Sequence, residues 1–201
     1  MKALLASAAA LALLAGCAPT TTDTSTTAAA AVDPTSPLSA PGFMAMAASS
    51  DQFEIQSSQM ALQMSQNPQV RAFAQTMIDH HTRTTAELTQ LAAANNLPPP
   101  PPTLMPNHQA LLDQLRTAQP GQFDAAYKQG QIASHQEALT LMQNYASQGD
   151  LPPFRDFATR TTPIIQQHLA QAQTLPDMAM MQQQQPAPAY TPPPSRAGER
   201  G

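Results

Sequence analysis

Cysteine is almost missing from this chain of 201 residues: Cys17 stands alone, so no intrachain disulfide can form. Stability must come from packing, with help from a metal if one binds. Basic charge is sparse as well. Nine Lys and Arg against 13 Asp and Glu give a net charge of −4, and the basic residues are scattered rather than clustered. That argues against nucleic acid as a partner. β-Branched runs are few in the middle of the chain, which leaves little from which to build a sheet. Also absent is any Glu-x-x-His: Glu54 is followed at that spacing by Ser57, Glu87 by Gln90 and Glu137 by Thr140. A di-iron carboxylate bundle of the ferroxidase kind needs two such pairs. No nucleophile motif stands behind a hydrolytic enzyme either, so no catalytic residue is nominated.

What is present begins with MKALLASAAALALLAG, residues 1–16. One lysine, an apolar run and small residues before Cys17 have the layout of a secretory signal, and the run is too short for a permanent membrane span. Leu14-Ala15-Gly16-Cys17 resembles the lipobox of bacterial lipoproteins, in which the cysteine carries the lipid and becomes the first mature residue. Ala18 in place of aspartate implies sorting to the outer membrane. An ordinary secreted protein with a cysteine at its cleavage site is the alternative. Residues 17–42, rich in Thr, Ala and Pro, bury too little to fold and read as a disordered tether; residues 176–201 read as a disordered tail.

The intervening segment, 43–175, is long enough for one domain with a core. It abounds in Ala, Gln, Leu and Met, which favour helix. Four long helices are predicted. The first covers about 43–66, with Phe43, Met46, Phe53, Met60 and Met64 at helical spacing, and Asn67-Pro68 makes the turn. The second covers about 69–95 on the line Val70, Phe73, Met77, His80, Thr84, Glu87, Leu91. NNLPPPPP then ends it, since consecutive prolines cannot continue a helix. A short helix near 108–118 interrupts a connection long enough to travel the length of a bundle. The third helix, 122–148, carries Ile132, His135, Leu139 and Met142. The fourth, 152–175, carries Phe154, Phe157, Thr161, Ile164 and His168, with a kink predicted at Pro163. The fold class is therefore all-α, an antiparallel four-helix bundle with a long connection between helices two and three.

His80, His135 and His168 each lie on one apolar line, and helix one offers Glu54. Glu54 and His80 each lie about 13 residues from their shared turn, and His135 and His168 about 16 from theirs, which at ~1.5 Å per residue puts all four near mid-height. One carboxylate and three imidazoles suit a single transition-metal ion, Fe, Zn, Mn or Cu. Asp79 could hold a ring N–H from outside, and His81, about 100° round the helix, belongs to the flank as a supporting group. The alternative is an ordinary polar network in which the histidines pair with Thr84, Glu87, Tyr127 or Gln side chains. Met178, Met180 and Met181 in the tail could ligate Cu(I) through soft sulfur, or do nothing specific.

The segments SSDQFEIQSSQMAL, NPQVRAFAQTMIDHHTRTTAELTQLAA, GQFDAAYKQGQIASHQEAL and FRDFATRTTPIIQQHLAQAQTL resemble the ferritin-like bacterial envelope family called domain of unknown function 4142. Asp79-His80, Phe123-Asp124 with Tyr127, His135-Gln136, and Pro163 with His168 are the more specific matches. The resemblance implies a ferritin-like four-helix bundle in the cell envelope and no established activity. His81 departs from the family pattern, which has Thr after Asp-His. The His-His pair is similar to part of an apolar-Met-x-x-His-His signature in a bundle family linked to copper, though the rest of that signature is missing.

Overall fold

The computed structural model describes residues 33–176; the signal-like residues 1–16, Cys17 and the tail methionines lie outside the described residues. Among the described residues are five α-helices: α1 (Ala40–Met64), α2 (Pro68–Ala94), α3 (Pro106–Thr117), α4 (Phe123–Gln148) and α5 (Pro152–Thr174). The long helices of the sequence reading are α1, α2, α4 and α5. None is long and apolar enough to cross a membrane.

Local chemistry sets the helix ends. α1 begins at Ala40 rather than residue 43 because Ser39 caps it, its hydroxyl oxygen accepting the Gly42 N–H at 3.2 Å, and Pro41 suits the first turn. Ahead of it, residues assigned by sequence to the tether are turned back on themselves. Asp33 accepts hydrogen bonds from the Thr35 N–H and hydroxyl, and the Ser39 hydroxyl donates to the Ser36 carbonyl at 2.9 Å. At α2, Asn67 accepts the Gln69 N–H at 2.8 Å and Pro68 opens the helix. α5 runs on through Pro163.

Two short links, 65–67 and 149–151, make two antiparallel hairpins, α1/α2 and α4/α5. Phe43 near the start of α1 stacks on Tyr145 near the end of α4, at 4.1 Å between centroids, so α1 and α4 are also antiparallel. The end of α2 and the start of α4 therefore lie at opposite ends of the bundle. The connection must run its whole length, with α3 packed on α1 and α4. This is the single-crossover connectivity of ferritin-like bundles.

The core has two apolar clusters. One gathers Phe43, Met44, Leu88, Met142, Tyr145, Phe154, Phe157 and Ile165. The other gathers Phe53, Val70, Phe73, Met77, Leu112, Phe123, Tyr127 and Leu175. Asp51, His81, Gln131, Ser134, His135 and His168 are buried at positions between the two sets along their helices, and Glu54 is buried next to Phe53 at the border of the second. α1 presents small Ala47, Ala48, Ser50, Ser57, Ser58 and Ala61 along its buried face, which leaves room for the larger polar groups opposite.

Gly42 packs against the turn that precedes α1. A Cβ there would lie 2.1 Å from the Ser36 carbonyl oxygen, a backbone atom that cannot swing aside. Gly42→Ala should cost about 1–3 kcal/mol, the usual range for overpacking. Chemical denaturation of the two proteins measures this, and an unchanged midpoint would mean the turn is not packed as described.

Candidate metal centre

α2, α4 and α5 bring His81, His135 and His168 together. One ring nitrogen of each lies within 4.8 Å of those of the other two, and the ring centroids are 5.4 to 5.8 Å apart. All three side chains are buried.

Each ring has one nitrogen committed. His81 Nδ1 lies 2.7 Å from Asp51 Oδ1, and His135 Nδ1 lies 2.8 Å from the Gln131 carbonyl oxygen. Both partners only accept, so both Nδ1 atoms carry a proton, and in the neutral rings both Nε2 atoms keep a lone pair. His168 Nε2 lies 2.8 Å from His80 Nδ1. With His168 donating, its Nδ1 is bare too. The nitrogens left over are His81 Nε2, His135 Nε2 and His168 Nδ1, each buried with no hydrogen-bond partner. Groups of this kind normally find one. Three imidazoles gathered this closely, each with one such nitrogen, offer the donor set of a borderline transition-metal ion, whose imidazole ligands are characteristically held from behind through the other nitrogen. Metal–nitrogen bonds of ~2.0–2.1 Å at tetrahedral angles place nitrogens ~3.4 Å apart, so from the 4.8 Å that bounds the set a contraction of at most about 1.4 Å would close it around an ion.

The charges favour a cation. Asp51 and Glu54 are both buried. Asp51 is held on both oxygens, by His81 and Thr84 at one and by Thr85 at the other. Neither Glu54 oxygen has a hydrogen-bond partner, although Oε1 is 3.5 Å from His135 Nδ1. Burial pushes the His168 imidazole down to about 3, with His81, His135 and His80 adding to the effect. Burial likewise lowers His135, against the pull of Glu54. At His81 burial also disfavours the charge, but the Asp51 hydrogen bond and the charges of Asp51 and Glu54 outweigh it and the net shift is upward. Burial drives the Tyr127 phenol well above its ordinary value; its hydroxyl pairs with Ser58 at 2.8 Å.

Of the four ligands nominated from sequence, His135 and His168 stand in the converging set. His80 is half-buried and lies behind His168, occupying the supporting position reserved for its neighbour. Glu54 sits on the Nδ1 side of His135. His81, assigned to the flank, is instead only 6 % exposed and is the third member of the set. The physical reason is helical drift. The line read from sequence alternates steps of three and four, averaging 3.5, whereas an α-helix has 3.6 residues per turn. By mid-helix the buried face has moved from Val70, Phe73 and Met77 to His81, Leu88 and Ala92. Glu87, on the nominated line, is exposed and pairs with Arg160 at 2.9 Å. Asp79 is exposed and accepts a hydrogen bond from Gln75 at 2.9 Å, away from any ring N–H. Asp51 and Gln131 were not foreseen. Asp51 lies one turn before Glu54, and that spacing was the available signal; a backbone acceptor such as Gln131 leaves none.

Fold and site together define a four-helix bundle with one crossover and a buried three-histidine group at its waist. The chain belongs to the family described as "Domain of unknown function (DUF4142)", whose profile matches residues 22–175. Solved structures of CopM have a similar fold. In its Cu(II)-bound form CopM is 23% identical with a TM-score of 0.58, the match covering 67% of this chain and 93% of that one. In its apo form it is 21% identical with a TM-score of 0.57, covering 74% and 99%. No curated protein matches the sequence.

The lowered imidazoles make acid destabilising in the metal-free protein. Between the folded value of about 3 and the ordinary 6.5, the unfolded chain protonates His168 and the folded chain does not, so stability falls as pH drops through that window. His80, His108 and His135 shift in the same direction. His81 has the opposite sign: its contribution is complete below 6.5 and is lost as pH rises through its raised folded value. Protein stripped with a chelator should melt at a clearly lower temperature at pH 5 than at pH 7.5 in calorimetry; equal or higher melting at pH 5 would contradict the assigned protonation.

Proposed function

We propose that this is a lipid-anchored protein of the bacterial cell envelope whose bundle holds one transition-metal ion on His81, His135 and His168, with copper the best-suited ion. The observation that carries the reading is the set of three buried ring nitrogens left without partners while each ring's other nitrogen is fixed. A polar network would have satisfied them; here the outer nitrogens form such a network and the inner ones do not. Nitrogen donors favour copper over the other divalent first-row metals in intrinsic affinity. CopM, similar in fold, is known in Cu(II)-bound, Cu(I)-bound and silver-bound forms, which is a property of that protein and supports the choice of ion here.

Holding the ion, rather than turning over a substrate on it, fits the space. The cavity bordered by His80, His81, His168, Met142 and Ile165 has a volume of only about 30 Å³, room for roughly one water molecule. Storage, buffering or delivery of the metal are the functions such a site serves. The envelope location rests on the signal-like residues 1–16 and on Cys17, where a lipid would tether the bundle to the outer membrane through residues 18–32. Nucleic acid is not an expected partner, given the sparse and scattered basic residues.

Elemental analysis and Cu²⁺ titration of protein made without a histidine tag test the metal. Wild type should hold close to one tightly bound ion per chain, and a His81→Ala, His135→Ala double variant should hold none there. His80→Ala should keep the ion with affinity lowered about 10- to 100-fold, the usual effect of removing a group that supports a ligand. If metal-free wild type cannot be loaded, the histidines are structural. The anchor is tested separately: Cys17→Ser should move the protein from the membrane fraction to the soluble fraction of the envelope, and an unchanged distribution would remove the lipid from the proposal.

A further inference from the structure

A fifth histidine lies outside the central group. His108, in the first turns of α3, is 1 % exposed. Phe53 stacks against its ring at 5.7 Å and 16°. Its Nδ1 lies 2.7 Å from the Ser49 hydroxyl oxygen, which also accepts the Met105 N–H at 2.7 Å. The ring is thus clamped from behind by α1 and by the start of α3. Its Nε2 is buried and has no hydrogen-bond partner. It borders a solvent-open pocket lined also by Met46, Ser50, Glu137, Leu141 and Asn144.

Glu137 Oε2 is 3.9 Å from that nitrogen, and the Glu137 side chain is 53 % exposed. The gap is too long for a hydrogen bond. It exceeds the ~3.4 Å between two ligand atoms on one tetrahedral ion by about 0.5 Å, a closure that the half-exposed Glu137 carboxylate can make by rotating. Asn107 donates to the same Glu137 oxygen at 2.7 Å and steadies it. Imidazole nitrogen with carboxylate oxygen suits a borderline divalent ion, and the thioether of Met46 borders the same pocket.

We infer that His108 Nε2 and Glu137 form a second site for a divalent transition-metal ion, open to solvent on its Glu137 side and so weaker and faster to exchange than the buried one. With the ion bound, His108 donates from Nδ1 to the Ser49 hydroxyl oxygen and offers the Nε2 lone pair outward. Two protein ligands leave the remaining positions to water, which is why the site is labile. The pocket and the central cavity share Ser50 and Leu141 along with Ala138, so an ion held at Glu137 has a short way inward. That last consequence rests on the central histidines being a metal site; the second site does not.

Cu²⁺ equilibrium dialysis with electron paramagnetic resonance, on the whole protein, tests the inference. Wild type should bind two ions per chain, the second at least tenfold more weakly and with its own spectrum. Glu137→Gln should abolish the weak ion and leave the tight one. Glu87→Gln, at a similarly exposed carboxylate on α2, should leave both. His81→Ala with His135→Ala should remove the tight ion and spare the weak one, so that failure of either site is seen independently of the other. His108→Ala should reproduce the Glu137→Gln loss; if it unfolds, selective Cu²⁺ broadening of the His108 ring resonances in wild type takes its place. Unchanged weak binding in Glu137→Gln, an equal loss in Glu87→Gln, or no weak ion in wild type would overturn the inference.

Discussion

The arrangement of the waist depends on a single kind of contact, the hydrogen bond behind each buried imidazole. Asp51 behind His81, the Gln131 carbonyl behind His135 and His80 behind His168 do the same work with three different chemistries. Each fixes its ring and leaves the remaining nitrogen buried without a partner. A free imidazole could turn to find a partner; these cannot without abandoning the one they have. The frustration of three nitrogens is therefore enforced by the satisfaction of the other three. Without a cation that cost stands alone, and buried polar atoms of this kind are expensive.

The rest of the bundle offsets that cost. Aromatic and aliphatic side chains fill the cross-section on either side of the polar layer, and the phenylalanine–tyrosine stacks lie within these layers. Apolar layers also raise the electrostatic stakes between them, because water that would screen Asp51 and Glu54 is excluded. The same burial lowers three of the four histidines in and around the waist and is outweighed only at His81, where carboxylate contact wins. The carboxylates do not need to touch an ion to favour one.

Much of the fold was legible because it is written in local chemistry. Asn67-Pro68, the proline run and Gly149 mark helix ends, and apolar periodicity marks the rest. Depth counted from the turns was enough to bring His135 and His168 together. The face of α2 was not legible to the same degree, since a difference of 0.1 residue per turn, harmless at first, has by the third turn begun to favour one of two adjacent histidines. Asp51 was hidden for another reason: an acidic residue in a polar stretch reads as surface until the helix opposite is known. His108 was read only as the start of a short helix, because its value lies in contacts with Ser49, Phe53 and Glu137, all distant in sequence.

The ligands are divided between the two hairpins. The first contributes His81 and its Asp51 partner, and the second contributes His135 and His168, with the long crossover between them. Neither hairpin alone can gather three nitrogens. The last of them sits on α5, the final helix described. A chain emerging from its N-terminus thus has no such cluster until α5 has docked, and then has all of it at once. An ion held by all three histidines would be captured only by the finished bundle and would pull the folding equilibrium toward it.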